Sequence, residues 1–161
     1  MNKQKAQSFL SNALLPTPVT KERPVLKYEE KLAGGKSGAI VKSGEWKGQQ
    51  VILKVYESRD LEKVFQDTSL DTEEKRVAEY RKQKAKKDRG DGVLSYIRSI
   101  RDVYLNILMD GIRVEGTKTT LTPTVWDYGL FQEDQQYFIY MVTQDISKAG
   151  FKELTNFLYY F

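Results

Sequence analysis

The stretch Leu32-Ala-Gly-Gly-Lys-Ser-Gly-Ala-Ile-Val41, followed after a second glycine-bearing turn by Val51-Ile-Leu-Lys54 and Val55-Tyr56, decides the fold. β-Branched and aromatic residues cluster around the glycines in segments 25–32, 39–50 and 51–56, which predicts three antiparallel strands joined by two hairpin turns. Gly35-Lys36-Ser37 matches the end of a Walker phosphate loop. That loop needs a glycine where Glu30 stands and a helix after the serine, whereas here the pattern continues as a strand. The other glycine-rich design is a hairpin whose turn lies over phosphates, its backbone N–H groups free to approach because glycine has no Cβ. A lysine inside an otherwise apolar strand is costly unless a counter-charge awaits it, which makes Lys54 the most informative residue of the chain.

Outward from this hairpin, residues 1–24 begin with a short amphipathic segment. Pro16, Pro18 and Pro24 then forbid a long helix, so the segment is expected to be an arm. Residues 57–90 form a charged insertion with scattered helical spacing, ending at the breaker Gly90-Asp91-Gly92. Leu94, Ile97, Ile100 or Arg101, Tyr104, Leu105 and Leu108 fall at steps of three and four, predicting an amphipathic helix over roughly 93–109 that stops at Asp110-Gly111. Two more strands are expected near 124–131 and 136–144, separated by Gln132-Glu133-Asp134-Gln135. The last stretch, with Phe151, Leu154, Phe157 and Leu158, has the pattern of a short aromatic helix. The class is therefore α+β, a five-stranded antiparallel sheet with one main helix and a charged helical insertion.

Composition excludes several chemistries. The 161 residues contain no cysteine and no histidine, so this chain offers no disulfide, no thiolate metal site and no imidazole base or ligand. No run has the length of a signal peptide core or a membrane span, and an intracellular, cytoplasmic protein is expected. The net charge of +4 is concentrated in segment 75–89, whose lysines and arginines suit an acidic or phosphorylated partner, or simply a solvated face.

Residues 33–40 fit the pattern Gly-x-Gly-x-x-Gly-x-Val with Gly35 and Gly38 in place, Ile40 for the valine and Ala33 for the first glycine. Val51-Ile52-Leu53-Lys54 follows at the distance of the Val-Ala-Ile-Lys strand of protein kinases. With its order of three strands, a helix and two strands, the chain resembles the N-terminal, ATP-binding lobe of a protein kinase over residues 25–161. The resemblance implies that Ala33, Gly34, Gly35, Lys36, Ser37 and Gly38 close over the phosphates of ATP, that Ile40 covers the adenine, and that Lys54 contacts the α- and β-phosphates. It makes helix 93–109 the αC helix, Thr143 the gatekeeper, and the backbones of Gln144 and Ile146 the groups facing the adenine edge. Residues 147–161 would begin the connection to a C-terminal lobe.

Two departures qualify the resemblance. Kinases pair the strand lysine with an αC glutamate, and this helix has none; Asp102 is the nearest substitute, forming with Lys54 the expected catalytic pair, with Glu73, Glu74 or Glu79 as alternatives. Ile100-Arg101-Asp102 and Asp127-Tyr128-Gly129 also resemble the His-Arg-Asp and Asp-Phe-Gly motifs, which suggests a competing alignment as a miniature kinase. The first of these motifs lacks its histidine and has the apolar spacing of a packed helix. Under the favoured alignment the catalytic base and the Mg²⁺ ligands belong to the C-terminal lobe, so the chain alone is expected not to turn over. The expected function is that of the ATP-binding lobe of a Ser/Thr protein-kinase-like phosphotransferase. A noncatalytic, pseudokinase-like interaction module is the alternative, and nucleic-acid binding, resting on lysines alone, ranks last. The aromatic tail (Phe151, Phe157, Tyr159, Tyr160, Phe161) calls for a C-terminal kinase lobe or another protein to cover it.

Overall fold

A computed structural model describes residues 2–32, 39–56, 72, 74, 75, 78, 93–134 and 136–147. Among them the chain is α+β, with helix α1 (Lys3–Ala13), strands β1 (Lys27–Leu32), β2 (Ala39–Trp46) and β3 (Gln49–Tyr56), helix α2 (Val93–Met109), and strands β4 (Val125–Glu133) and β5 (Gln136–Gln144). The strands form one antiparallel sheet in the order β1-β2-β3-β5-β4. β3 is therefore central, flanked by β2 and β5.

The β2–β3 hairpin turns at Lys47-Gly48, both with positive φ (48° and 79°), as a two-residue turn matched to the strand twist demands. Gly44 serves a different purpose. A Cβ there would lie 2.9 Å from the Lys27 carbonyl oxygen and 3.1 Å from Leu26 Cβ, so its absence lets the chain cross β2 as it enters β1. β1 is an exposed edge whose Lys27, Glu29, Glu30 and Lys31 discourage further strand pairing. Glu29 forms an ion pair with Lys42 of β2.

One sheet face packs against α2 and α1 through Ala39, Tyr56, Leu130, Ile139 and Met141. The opposite face is built on Val51, Leu53, Val55, Phe131, Tyr140 and Val142. On α2 the most buried side chains are Tyr96, Ile100, Val103 and Ile107. Ile97, Tyr104 and Leu108 are only partly buried, Leu105 is 47% exposed, and the side chain of Leu94 lies outside the described residues. The apolar stripe is thus turned by about one residue from the expected one, because α2 packs against α1 as well as the sheet.

The segment expected to be an arm packs on the core through its helix. Ala6, Phe9 and Ala13 of α1 are buried in the same cluster as α2, and Asn2 Nδ2 donates to the Asp110 carbonyl at 2.9 Å. The Asn12 side chain mimics a peptide group: it accepts from Val19 N at 2.7 Å and donates to Val19 O at 2.9 Å, which holds the proline-bearing stretch in place. From there the chain runs beside the β4 edge, with Lys21 N donating to Leu130 O at 2.7 Å. Lys21 Nζ reaches Asp127 Oδ1 at 3.2 Å, and Arg23 meets Glu133 at 2.9 Å. This strap shields an otherwise open strand edge. Among the described residues, no helix is long and apolar enough to cross a membrane.

Candidate functional site

Directly paired residues on neighbouring strands share a sheet face. Three rungs therefore cross the α2 face: Ala39–Tyr56–Ile139–Leu130, Val41–Lys54–Met141–Tyr128 and Ser43–Ile52–Thr143–Val125. Lys54 stands at the centre, half-buried, with Val41 and Met141 across the strands and Ile52 and Tyr56 before and after it on its own strand. It is the one charged side chain that β2, β3, β5 and β4 contribute to these three rungs; on β1 the third rung continues from Ser43 to the exposed Glu30. Among the described residues it forms no ion pair, and its four nearest positions on this face, Val41, Met141, Ile52 and Tyr56, carry no charge.

The expected flap, Ala33, Gly34, Gly35, Lys36, Ser37 and Gly38, lies outside the described residues. Its two ends are described, at Leu32 and Ala39. Ala39 pairs with Tyr56, one rung beyond Lys54.

Ile40 does not occupy the expected place. It pairs with Val55 and packs in the cluster on the far face, opposite from Lys54. Val41 shares the face of Lys54 instead and packs in the helix-side cluster. The alternation of a strand explains the correction: the glycine pattern is displaced by one residue from the pleat, and a one-residue slip moves a side chain to the other face.

Asp102 is brought to this face by α2, but its partner is Tyr56 rather than Lys54. The Tyr56 phenol donates to Asp102 Oδ2. Asn106 Nδ2, one turn on, donates to the Asp102 carbonyl at 2.8 Å and more loosely to Oδ1 at 3.4 Å. Burial, and then the hydrogen bond to the Asp102 carboxylate and its charge, hold the Tyr56 phenol far above its ordinary range, so it remains a donor. Tyr56 was not singled out by sequence reasoning. Its signal was positional: a tyrosine two residues after Lys54 shares that lysine's face, and a buried phenol needs an acceptor. Of the alternative acids, Glu74 is exposed, while Glu73 and Glu79 lie outside the described residues.

Thr143 is buried directly opposite Ile52. Past it, the Gln144 N–H goes to Thr124 O at 2.8 Å and the Asp145 N–H to Gln50 O at 3.1 Å, so the sheet already uses both donors. Asp145 Oδ1 accepts from Ser147 N at 3.1 Å and Ser147 Oγ at 2.6 Å, which fixes the turn. Ile146 is 38% exposed and lines, with Gln144, Leu121 and Pro123, a small cleft at this end of the sheet.

The two short motifs of the competing alignment lie inside regular elements, Ile100–Asn106 in α2 and Asp127–Gly129 in β4. Asp127 is committed to the strap and the sheet, accepting from Lys21 at 3.2 Å and from the Tyr140 phenol at 2.9 Å. Among the described residues, no group of three or more Asp or Glu side chains is arranged to hold a metal ion. Most of the basic segment 75–89 and residues 148–161 of the aromatic tail lie outside the described residues. In comparisons with known proteins, the chain matches no family model, no curated protein and no solved structure.

Proposed function

We propose that this chain is a nucleotide-binding lobe of the protein-kinase type, in which Lys54 takes the phosphates of ATP beneath the glycine hairpin. The observation that carries the reading is an ammonium set among Val41, Ile52, Tyr56 and Met141 with no ion-pair partner among the described residues. A triphosphate supplies the missing counter-charge. The element order agrees with the one the resemblance implied. The central place of β3 sets Lys54 between the hairpin strand and the strand that ends at Thr143.

In this reading Lys54 orients the phosphates and the hairpin amides close over them. Val41, Ile52 and Thr143 offer the base a surface on the same face, and Gln144 contributes its carbonyl and Ile146 its N–H, since the Gln144 donor is spent. Mg²⁺ would neutralise charge on the transferring phosphate, held by residues of a C-terminal lobe. A second reading, a noncatalytic kinase-like module that binds a partner, is favoured by one observation: Asp102 is held by Tyr56, so the lysine–acid pair of an active kinase is not made.

Thermal unfolding of the full chain with increasing ADP or ATP tests the proposal. Nucleotide at about one hundred times its dissociation constant should stabilise the folded state by about 2.7 kcal/mol. Lys54→Met should fold and lose that stabilisation. No stabilisation of the unaltered chain, or an equal one in Lys54→Met, rejects it.

A further inference from the structure

We infer that Tyr56 is a positioning residue whose hydrogen bond to Asp102 fixes the seat of α2 on the sheet face that carries Lys54. Such a tether requires an acceptor on the helix, not a charge. The inference deepens the nucleotide reading and rests on it for the ligand that would meet Lys54 on this face. On β3, Ile52, Lys54 and Tyr56 follow one another on the α2 face, the last two about 7 Å apart along the strand. Packing joins Ile100, Val103 and Ile107 of α2 to Ile139 and Met141 of β5 in one buried cluster. Apolar contact is non-directional, so it holds the helix down without choosing among small slides and rotations. A buried hydrogen bond does choose. Among the described residues, the one side-chain hydrogen bond between α2 and the sheet runs from the Tyr56 phenol to Asp102 Oδ2. Tyr56 is 3% exposed, so any seat that separates the two leaves a buried O–H without its acceptor.

The pairing that the resemblance implied, strand lysine to helix acid, would make Lys54 the tether. The tether lies instead one position further along the same face, and Lys54 has no ion-pair partner among the described residues. Tyr56 thus sets where the helix stands, and Lys54 is dispensable for that task.

The chain has no cysteine, so spin labels attach only where cysteines are introduced. Leu105→Cys on the exposed side of α2 and Gln49→Cys at the exposed start of β3 let pulsed electron resonance read the helix-to-sheet distance in the full chain. One narrow distance is expected without ligand. It should persist in Asp102→Asn, which keeps an acceptor oxygen, and in Lys54→Met. Asp102→Leu and Tyr56→Phe should lose that single peak. In Tyr56→Phe, ADP affinity from calorimetry should fall by about threefold, as when one chain in three keeps the helix seated. A single narrow distance in both Asp102→Leu and Tyr56→Phe, an equal broadening in Asp102→Asn, or one in Lys54→Met, overturns the tether. Should a variant that removes the tether fail to fold, the Asp102→Asn and Lys54→Met distances decide. Unchanged ADP affinity in a broadened Tyr56→Phe overturns the positioning role. ADP bound by no variant, the parent included, while the distances behave as expected, rejects the nucleotide reading and keeps the tether.

Discussion

Lys54 and Tyr56 show how two residues of one strand face acquire opposite electrostatic fates. The ammonium sits among apolar groups, whereas the phenol two positions later finds a carboxylate, and only the second is paired among the described residues. The pairing has a signature at high pH. The Tyr56 phenol is raised above the ordinary tyrosine range, chiefly by burial and then by Asp102, and Tyr140 is raised by burial and then by Asp127. A group raised on folding contributes stability that is fully present below its unfolded value and is lost as pH climbs above it. Stability should therefore hold up to about pH 10 and decline beyond it. Chemical denaturation of Tyr56→Phe across this range should show a shallower alkaline decline than the parent, with Tyr140 and Tyr128, also raised by burial and then by Asp127, contributing to what remains. An unchanged slope would mean that the Tyr56 phenol is not protected. At neutral pH the same variant should lose about 1–3 kcal/mol, the cost of a carboxylate deprived of its donor.

At the scale of elements, periodicity was a good guide to position and a poorer one to facing. The steps of three and four across 93–109 and the alternation of 51–56 are local properties, and α2 and β3 form over those residues. Which stripe of α2 is most buried depends on α1, a contact some ninety residues distant in sequence that no local pattern encodes. Ile40 was misplaced for a related reason: glycine spacing in a turn does not set the pleat of the strand that follows, and β2 takes its phase from pairing with β3. Asp102 was named as the nearest substitute acid for Lys54, but the partner of a carboxylate depends on which donor has no other acceptor, a tertiary matter. Gly44 shows how closely β1 and β2 approach. Gly44→Ala puts a methyl group against the Lys27 carbonyl and Leu26, where the nearest obstacle is backbone. The substitution should cost about 1–3 kcal/mol, measured by urea unfolding, while Gly48→Leu at the turn acts only through its positive φ. A neutral Gly44→Ala would show that the entry to β1 can yield.

Seen whole, the molecule gathers its most buried contacts around a sheet whose middle strand carries one half-buried lysine on its helix-facing side. The helix α1 and the Lys21–Arg23 strap close one flank, and charged β1 forms the opposite edge of the sheet among the described residues. The architecture was legible from strand and helix patterning, while the integration of residues 1–24 was not, because prolines mark where a helix stops and say nothing of what the preceding turns pack against. The central claim is that this lysine meets the phosphates of a nucleotide. Acylation at Lys54 in the full chain, compared with and without ligand, tests it most directly. Saturating ATP or ADP should slow acylation at Lys54 by about tenfold, the factor that corresponds to 1.4 kcal/mol, and adenosine, which lacks phosphates, should not. Equal reactivity with and without ATP would contradict the account.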